Sequence, residues 1–172
     1  MIPVFKKCTI KDLKQLTKVS WDTFYDSYKA NNDPHNFKTF LDNKFSEERL
    51  LEELNNQNCH FYFLHVNNNL VGYFKLNERD AQTETFDEST IELERIYVLK
   101  EFQGMGYGKL MIQKAIALSK EAGVDLLWLG VWKINENAVR FYQREGFKIF
   151  GTHIYVVGNE DQEDWVMKYH LN

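Results

Sequence analysis

At 172 residues the chain has the length of one domain and would bury roughly 70% of its unfolded surface. Its formal net charge of -4 and pI near 5.8 argue against a nucleic-acid partner, which asks for a basic face, and admit cationic partners. The start, "MIPVFKKCTIKD", has no apolar leader segment, and the longest apolar run, 126–132, is too short to span a bilayer, so a cytoplasmic protein with no membrane partner is expected.

In chain order, "IPVFKKC" reads as a first strand. A helical stretch follows in which Leu13, Leu16, Val19, Phe24 and Tyr28 fall near one face, and "NNDP" at 31–34 breaks it. A second helix starts at Ser46, an N-cap with Glu47 and Glu48 in its first turn, and carries Leu50, Leu51 and Leu54. The runs "CHFYFLHV" and "LVGYFKLN" about a three-residue Asn turn predict a hairpin. An acidic connection, "ERDAQTETFDES", leads to a third β-rich run, "TIELERIYVL". A glycine-rich loop opens a helix bearing Leu110, Met111, Ala115 and Leu118, which ends at Gly123. The strand "DLLWLGVW", a short helix "NENAVRFYQRE" stopped by Gly146, and the strands "FKIFGTHIYVV" and "EDWVMKYHL" close the chain. The order is β-α-α-β-β-β-α-β-α-β-β, a mixed α/β sheet in one domain over residues 1–172, with no repeat or linker.

The loop "LKEFQGMGYGKLM" packs Gly104, Gly106 and Gly108 between a strand and a helix. Glycines there permit positive φ and close approach, and a helix start offers free N–H groups to an anion such as a phosphate. Gly108-Lys109 is followed by Leu110 and Gln103 stands where a Walker loop needs Gly, while Lys109 replaces the last Gly of a Rossmann fingerprint, so neither signature fits. Cys8 and Cys59 lack metal or redox spacing and read as free buried thiols; the five histidines, His153 among them, are scattered, and no metal is expected.

The segment "RIYVLKEFQGMGYGKLM" resembles the acyl-CoA motif of the GNAT acetyltransferases, [QR]-x-x-G-x-[GA] after a strand ending in Val, through Gln103, Gly106 and Gly108. "NENAVRFYQREGF" resembles the family's second motif through Asn135, Ala138, Phe141, Tyr142, Gly146 and Phe147. The likeness runs nearly end to end and is closest to the PaiA-type polyamine N-acetyltransferases, through "FKLN", "ELERIYV", "WLGVW" and "GTHIYVVG". Two departures stand out: "GNEDQEDW" is more acidic than the pattern, and Ile154-Tyr155 replaces a smaller residue followed by Phe.

The resemblance implies an α/β (α+β) GNAT domain: a mixed, mostly antiparallel sheet of six to seven strands, flanked by about four helices and splayed between the fourth and fifth strands. It implies acetyl-CoA as co-substrate, its pyrophosphate on backbone N–H groups from Gln103 and Gly104 through Met105, Gly106 and Tyr107 to Gly108 and Lys109. The pantetheine arm would pair with Ile96, Tyr97 and Val98, the Val98 N–H serving as oxyanion donor. Asn135 would hold the pantetheine amides, or would simply cap its helix. Tyr142 matches the family's general acid for the departing thiolate; without the family it would read as core beside Phe141.

Attack by an amine of pKa near 10.4 needs deprotonation, which costs about 4 kcal/mol near neutral pH. Glu92 and Glu94 are two apart on the third β run, on one face if no bulge intervenes, and either is a candidate base; otherwise they are solvated or paired strand residues. Seven acidic residues against one basic residue between Glu78 and Glu94, with the turn "NEDQED", would steer a cation if they flank the mouth. A long polyamine such as spermidine or spermine suits this best, its distant ammonium on the acidic surface while the reacting end enters a drier pocket. The aromatic patch Trp21, Phe24, Tyr25 and Tyr28 lines a substrate cleft or a core-facing helix, and Trp128 and Trp132 read as core. A peptide N-terminus, a lysine or an aminoglycoside are the rival acceptors, a non-catalytic acetyl-CoA sensor the rival from another class, and monomer and homodimer stay open.

Overall fold

A computed structural model describes residues 2–171. Seven strands form one sheet in the order β1-β2-β3-β4-β5-β7-β6: β1 (Pro3–Lys7), β2 (Cys59–Val66), β3 (Asn69–Glu78), β4 (Thr90–Val98), β5 (Leu126–Trp132), β6 (Lys148–Val157) and β7 (Glu160–His170). Every neighbouring pair is antiparallel except β4 and β5. Among the described residues no helix is long and apolar enough to cross a membrane.

Among the described residues five α-helices flank the sheet, one more than expected: α1 (Leu13–Tyr28), α2 (Pro34–Lys44), α3 (Glu47–Asn55), α4 (Tyr107–Glu121) and α5 (Glu136–Arg144). The segment read only as a break is the start of α2. Asp33 accepts from the N–H of Asn36 at 2.9 Å and Pro34 takes the first helical position, where its fixed φ fits and its missing N–H costs nothing. The β2–β3 turn is shorter than expected, since Asn67 and Asn68, at φ 50° and 64°, make the two-residue left-handed turn that matches strand twist.

Strand alternation sorts the core into two layers. Ile91, Leu93, Leu127, Leu129 and Met167 pack against Met111, Ile112 and Ala115 of α4. On the opposite face Phe61, Phe63 and Tyr73 pack against Leu16, Phe24 and Leu50 of α1 and α3.

Two irregularities place the site. The β3–β4 register steps from Lys75 opposite Arg95 to Leu76 opposite Leu93, which leaves Glu94 as the extra residue of a bulge. β4 and β5 pair only through Thr90, Ile91 and Glu92, so the sheet splays apart along Leu93–Val98 as expected.

Candidate functional site

The splay is flanked by two hollows, one on each face of the sheet. The larger, about 770 Å³, runs between β4, the glycine loop and α5; it is lined by Ile96 and Val98, by the loop, and by Ala138, Phe141 and Tyr142. Gly106 sits at φ 82° as the N-cap of α4, whose first turn has no side-chain cap and no carboxylate, so its leading N–H groups have no partner within the helix. That geometry suits an anion. Arg140 and Arg144, one turn apart on α5, line the same cleft; their spacing was visible in the sequence, but only the cleft shows what they face.

The structure divides the expected cofactor residues. Ile96, Val98, Gln103, Gly104, Gly106, Tyr107, Gly108 and Lys109 border the cleft. Met105 is 62% exposed and lies outside its lining, and Tyr97 faces the other side of the sheet. Gln103 donates from Nε2 to Val98 O at 3.1 Å. The N–H of Leu99 donates to Val71 O of β3 at 2.9 Å; N–H groups alternate between the edges of a strand, so that of Val98 turns toward the splay. Asn135 caps α5, its Oδ1 accepting from Ala138 N at 3.2 Å, which leaves its amide N–H groups for another acceptor. Lys109 lies 4.0 Å from Glu145 and is mostly exposed. Tyr142 packs against Phe141 and Phe147, and burial pushes its hydroxyl above the ordinary phenol value.

The smaller hollow, about 70 Å³, lies on the opposite face; its walls include Tyr28 of α1, Lys44 of α2, Glu94 and Tyr97 of β4, Tyr155 of β6 and Asp164 of β7. The buried hydroxyls of Tyr28 and Tyr97 influence one another, and burial raises Tyr28 to about 12. Burial also lowers Lys44 to about 8, with Arg95 adding to the effect.

The bulge separates the two candidate bases. Both accept from Asn77 Nδ2, Glu92 at 3.2 Å and Glu94 at 2.7 Å, but only Glu94 lines the hollow. Burial would raise Glu94, yet Arg95 at 3.1 Å and Lys75 at 2.5 Å hold its carboxyl well below the usual range. Glu92 is 3% exposed and accepts from Thr83 N at 2.8 Å and Thr83 Oγ1 at 2.6 Å; burial raises it, with Glu94 adding to the rise. The β3–β4 connection therefore covers Glu92.

That connection also accounts for the acidic tract. Glu78 meets His60 at 3.0 Å, Asp80 accepts from Asn58 at 2.6 Å, Glu84 meets His153 at 3.0 Å and Glu88 lies 3.8 Å from Lys168. These carboxylates hold the loop to the sheet instead of flanking a mouth. The aromatic patch divides as well: Phe24 and Tyr28 line the small hollow, while Trp21 and Tyr25 stack at 5.0 Å beside an outer groove that reaches Val98. Trp132 lines the small hollow too, and Trp128, fully buried, donates to Gln82 at 2.8 Å.

The sequence profile of the Acetyltransferase (GNAT) family matches residues 13–147. A Lactobacillus delbrueckii subsp. lactis protein named as an uncharacterized N-acetyltransferase in the pepI 3′ region is 39% identical over 158 residues, covering 92% of this chain and 91% of its own. The spermidine N(1)-acetyltransferase of Thermoplasma acidophilum is 25% identical over 167 residues, covering 95% and 94%. Among solved structures, the PaiA N-acetyltransferase of Thermoplasma acidophilum, in complex with coenzyme A, superposes with a TM-score of 0.80 at 24% identity over 99% of both chains. A cleft at an uncapped glycine-rich helix start, a sheet splayed beside it and a family profile spanning most of the chain agree: this protein belongs to the GNAT family of N-acetyltransferases.

Proposed function

We propose that the protein transfers the acetyl group of acetyl-CoA to a primary amine of a polyamine such as spermidine or spermine, by direct attack in a ternary complex. The observation that carries this reading is the splay, which sets an anion-suited cleft and a small hollow bearing two carboxylates on opposite sides of one strand. The first turn of α4 would hold the pyrophosphate, with Arg140, Arg144 and Lys109 adding positive charge at the rim. Ile96 and Val98 would offer backbone groups to the pantetheine arm, and the amide of Asn135 would join them.

The amine would enter the small hollow, with Glu94 and Asp164 as its counter-charges. Its nitrogen then attacks the thioester carbonyl, the Val98 N–H stabilises the oxyanion, and Tyr142 gives a proton to the departing thiolate. A phenol kept neutral by burial is suited to that role. Of the two glutamates, Glu94 is placed to meet substrate, although its pairing with Arg95 and Lys75 makes it a weak base. The spermidine acetyltransferase relative supports the substrate class.

The test is a comparison of kcat/KM for spermidine, spermine, a lysine peptide, a peptide N-terminus and an aminoglycoside. A polyamine should lead by at least tenfold, since a buried carboxylate matched to an ammonium contributes roughly 1.5–3 kcal/mol. Preference for a peptide or drug would overturn the assignment.

A further inference from the structure

Amine attack needs a proton acceptor, and the two glutamates on β4 are poorly placed for it. Glu92 is closed off by Thr83, and Glu94 is fixed between Lys75 and Arg95. A different set of groups lies on the far wall. Asp164 of β7 is 8% exposed and lines the small hollow. Directly opposite it in the β6–β7 register stands His153. The His153 Nε2 is buried without a hydrogen-bond partner, 3.7 Å from Asp164 Oδ2, while Nδ1 lies 3.0 Å from Glu84 Oε1. Glu84 is 41% exposed.

Gly130 of β5 supplies an independent observation. It lines the hollow, and a Cβ built on it would sit 2.7 Å from His153 Nε2 and 3.4 Å from Asp164 Oδ2. Its φ is not left-handed, so the backbone does not require glycine there. The absence of a side chain keeps the imidazole against the wall of the hollow.

We infer that Asp164 takes the proton from the acceptor amine and that His153 and Glu84 carry it to solvent. This rests on the acetyltransferase reading above. The ammonium N–H bond breaks, its electron pair stays on nitrogen, and an O–H bond forms on Asp164. That proton passes to Nε2 of neutral His153 as the Nδ1 proton moves to Glu84, which releases it to water. The freed nitrogen attacks the thioester, the thiolate leaves with the C–S electrons and takes the Tyr142 proton, and the second proton on the new amide nitrogen is lost to water, from which the Tyr142 phenolate is reprotonated. Asp164 is the catalytic residue; His153 and Glu84 act through it.

The groups facing the imidazole are Asp164 from β7, Glu84 from the β3–β4 connection and the Trp128 ring of β5 at 6.2 Å; Tyr28 and Tyr155 share the lining of the hollow with Asp164. Asp164 first, and Glu84 after it, push His153 above its ordinary value against the effect of burial. An imidazole so placed is a good proton holder.

The experiment is a kcat–pH profile at saturating acetyl-CoA and polyamine, with acetyl-CoA affinity measured on each variant. Wild type should show an acidic limb above pH roughly 6.5. Glu84→Gln, at a half-exposed position that should tolerate it, removes a carboxylate that favours the imidazolium, so the limb moves to lower pH. His153→Asn should abolish the limb, and Asp164→Asn should lower kcat about 100-fold with acetyl-CoA affinity intact. If wild type turns over while Glu84→Gln and His153→Asn keep its limb, or Asp164→Asn keeps kcat within about threefold, the relay is wrong and the acetyltransferase reading stands. If wild type releases no thiol with any amine, both fall.

Discussion

Replacing Arg95 by Met should be the most destabilising single change in the wall of the small hollow. Arg95 is 3% exposed and donates twice to Glu53, both at 3.0 Å, while reaching Glu94 at 3.1 Å. Lys75, also 3% exposed, lies 3.2 Å from Glu53 and 2.5 Å from Glu94, so two buried carboxylates are balanced by two buried cations. Methionine keeps the hydrophobic stem near the Phe45 and Phe61 rings but leaves the two carboxylates to Lys75, with Lys44 at 4.0 Å from Glu94 and Arg49 at 3.8 Å from Glu53 as the more distant cations. Breaking one side of such a pair costs about 3–5 kcal/mol. For 172 residues that is a Tm drop of roughly 6–20 °C. The pH dependence has a definite sign. Burial would raise Glu53 and Glu94, but Arg95 and Lys75 hold both below the ordinary range. Their contribution is therefore complete above the unfolded value of roughly 4.3 and is lost as pH falls through the lower folded values. Thermal and urea unfolding of wild type, Arg95→Met and Arg95→Met with Glu53→Gln should show the large loss, a shallower acid slope in the single variant, and partial recovery in the double. A drop under about 3 °C for the single variant would refute the view that these charges depend on one another.

Gly106→Ala places a Cβ on a residue at φ 82°, a strain of roughly 1–2 kcal/mol. Acetyl-CoA titration should show weaker binding, and unchanged affinity would remove the loop from the cofactor site. Burial pushes the Cys8 thiol up to about 12, so an alkylating reagent at pH 8 should leave native Cys8 unmodified and label it in urea; native labelling would contradict its burial. Lys44 titrates near 8 inside the small hollow, where its ammonium competes with that of a substrate. The polyamine KM of wild type should fall as pH rises through about 8, while Lys44→Met should have a lower KM without that step; a higher KM in the variant would mean Lys44 aids binding.

The cleft was legible because its residues lie close in sequence. The glycines and Tyr142 belong to two short motifs whose spacing survives folding, and the strand and helix around the loop are strongly periodic. The splay likewise follows from the family likeness. What stayed hidden depends on register and distance. One extra residue at Glu94 leaves no mark in an alternating strand, so Glu92 and Glu94 both stand as candidate bases in the sequence although only one lines the hollow. Asp164, His153 and Glu84 come from three segments, and only the β6–β7 register and the path of the β3–β4 connection bring them together. The same connection made the acidic tract look like a free surface, since its partners Asn58, His60, His153 and Lys168 are remote in sequence. The helix α2 was hidden by its own start signal, because an Asp-Pro pair ends one element and begins the next.

The most direct test of the central claim measures thiol release from acetyl-CoA with spermidine by the purified protein, beside Tyr142→Phe and with acetyl-CoA affinity measured for both. Wild type should turn over, and the variant should bind acetyl-CoA equally while its kcat falls at least about 100-fold. Equal turnover by both proteins would remove Tyr142 from the chemistry, and binding of acetyl-CoA with no thiol release from any amine would contradict catalysis itself.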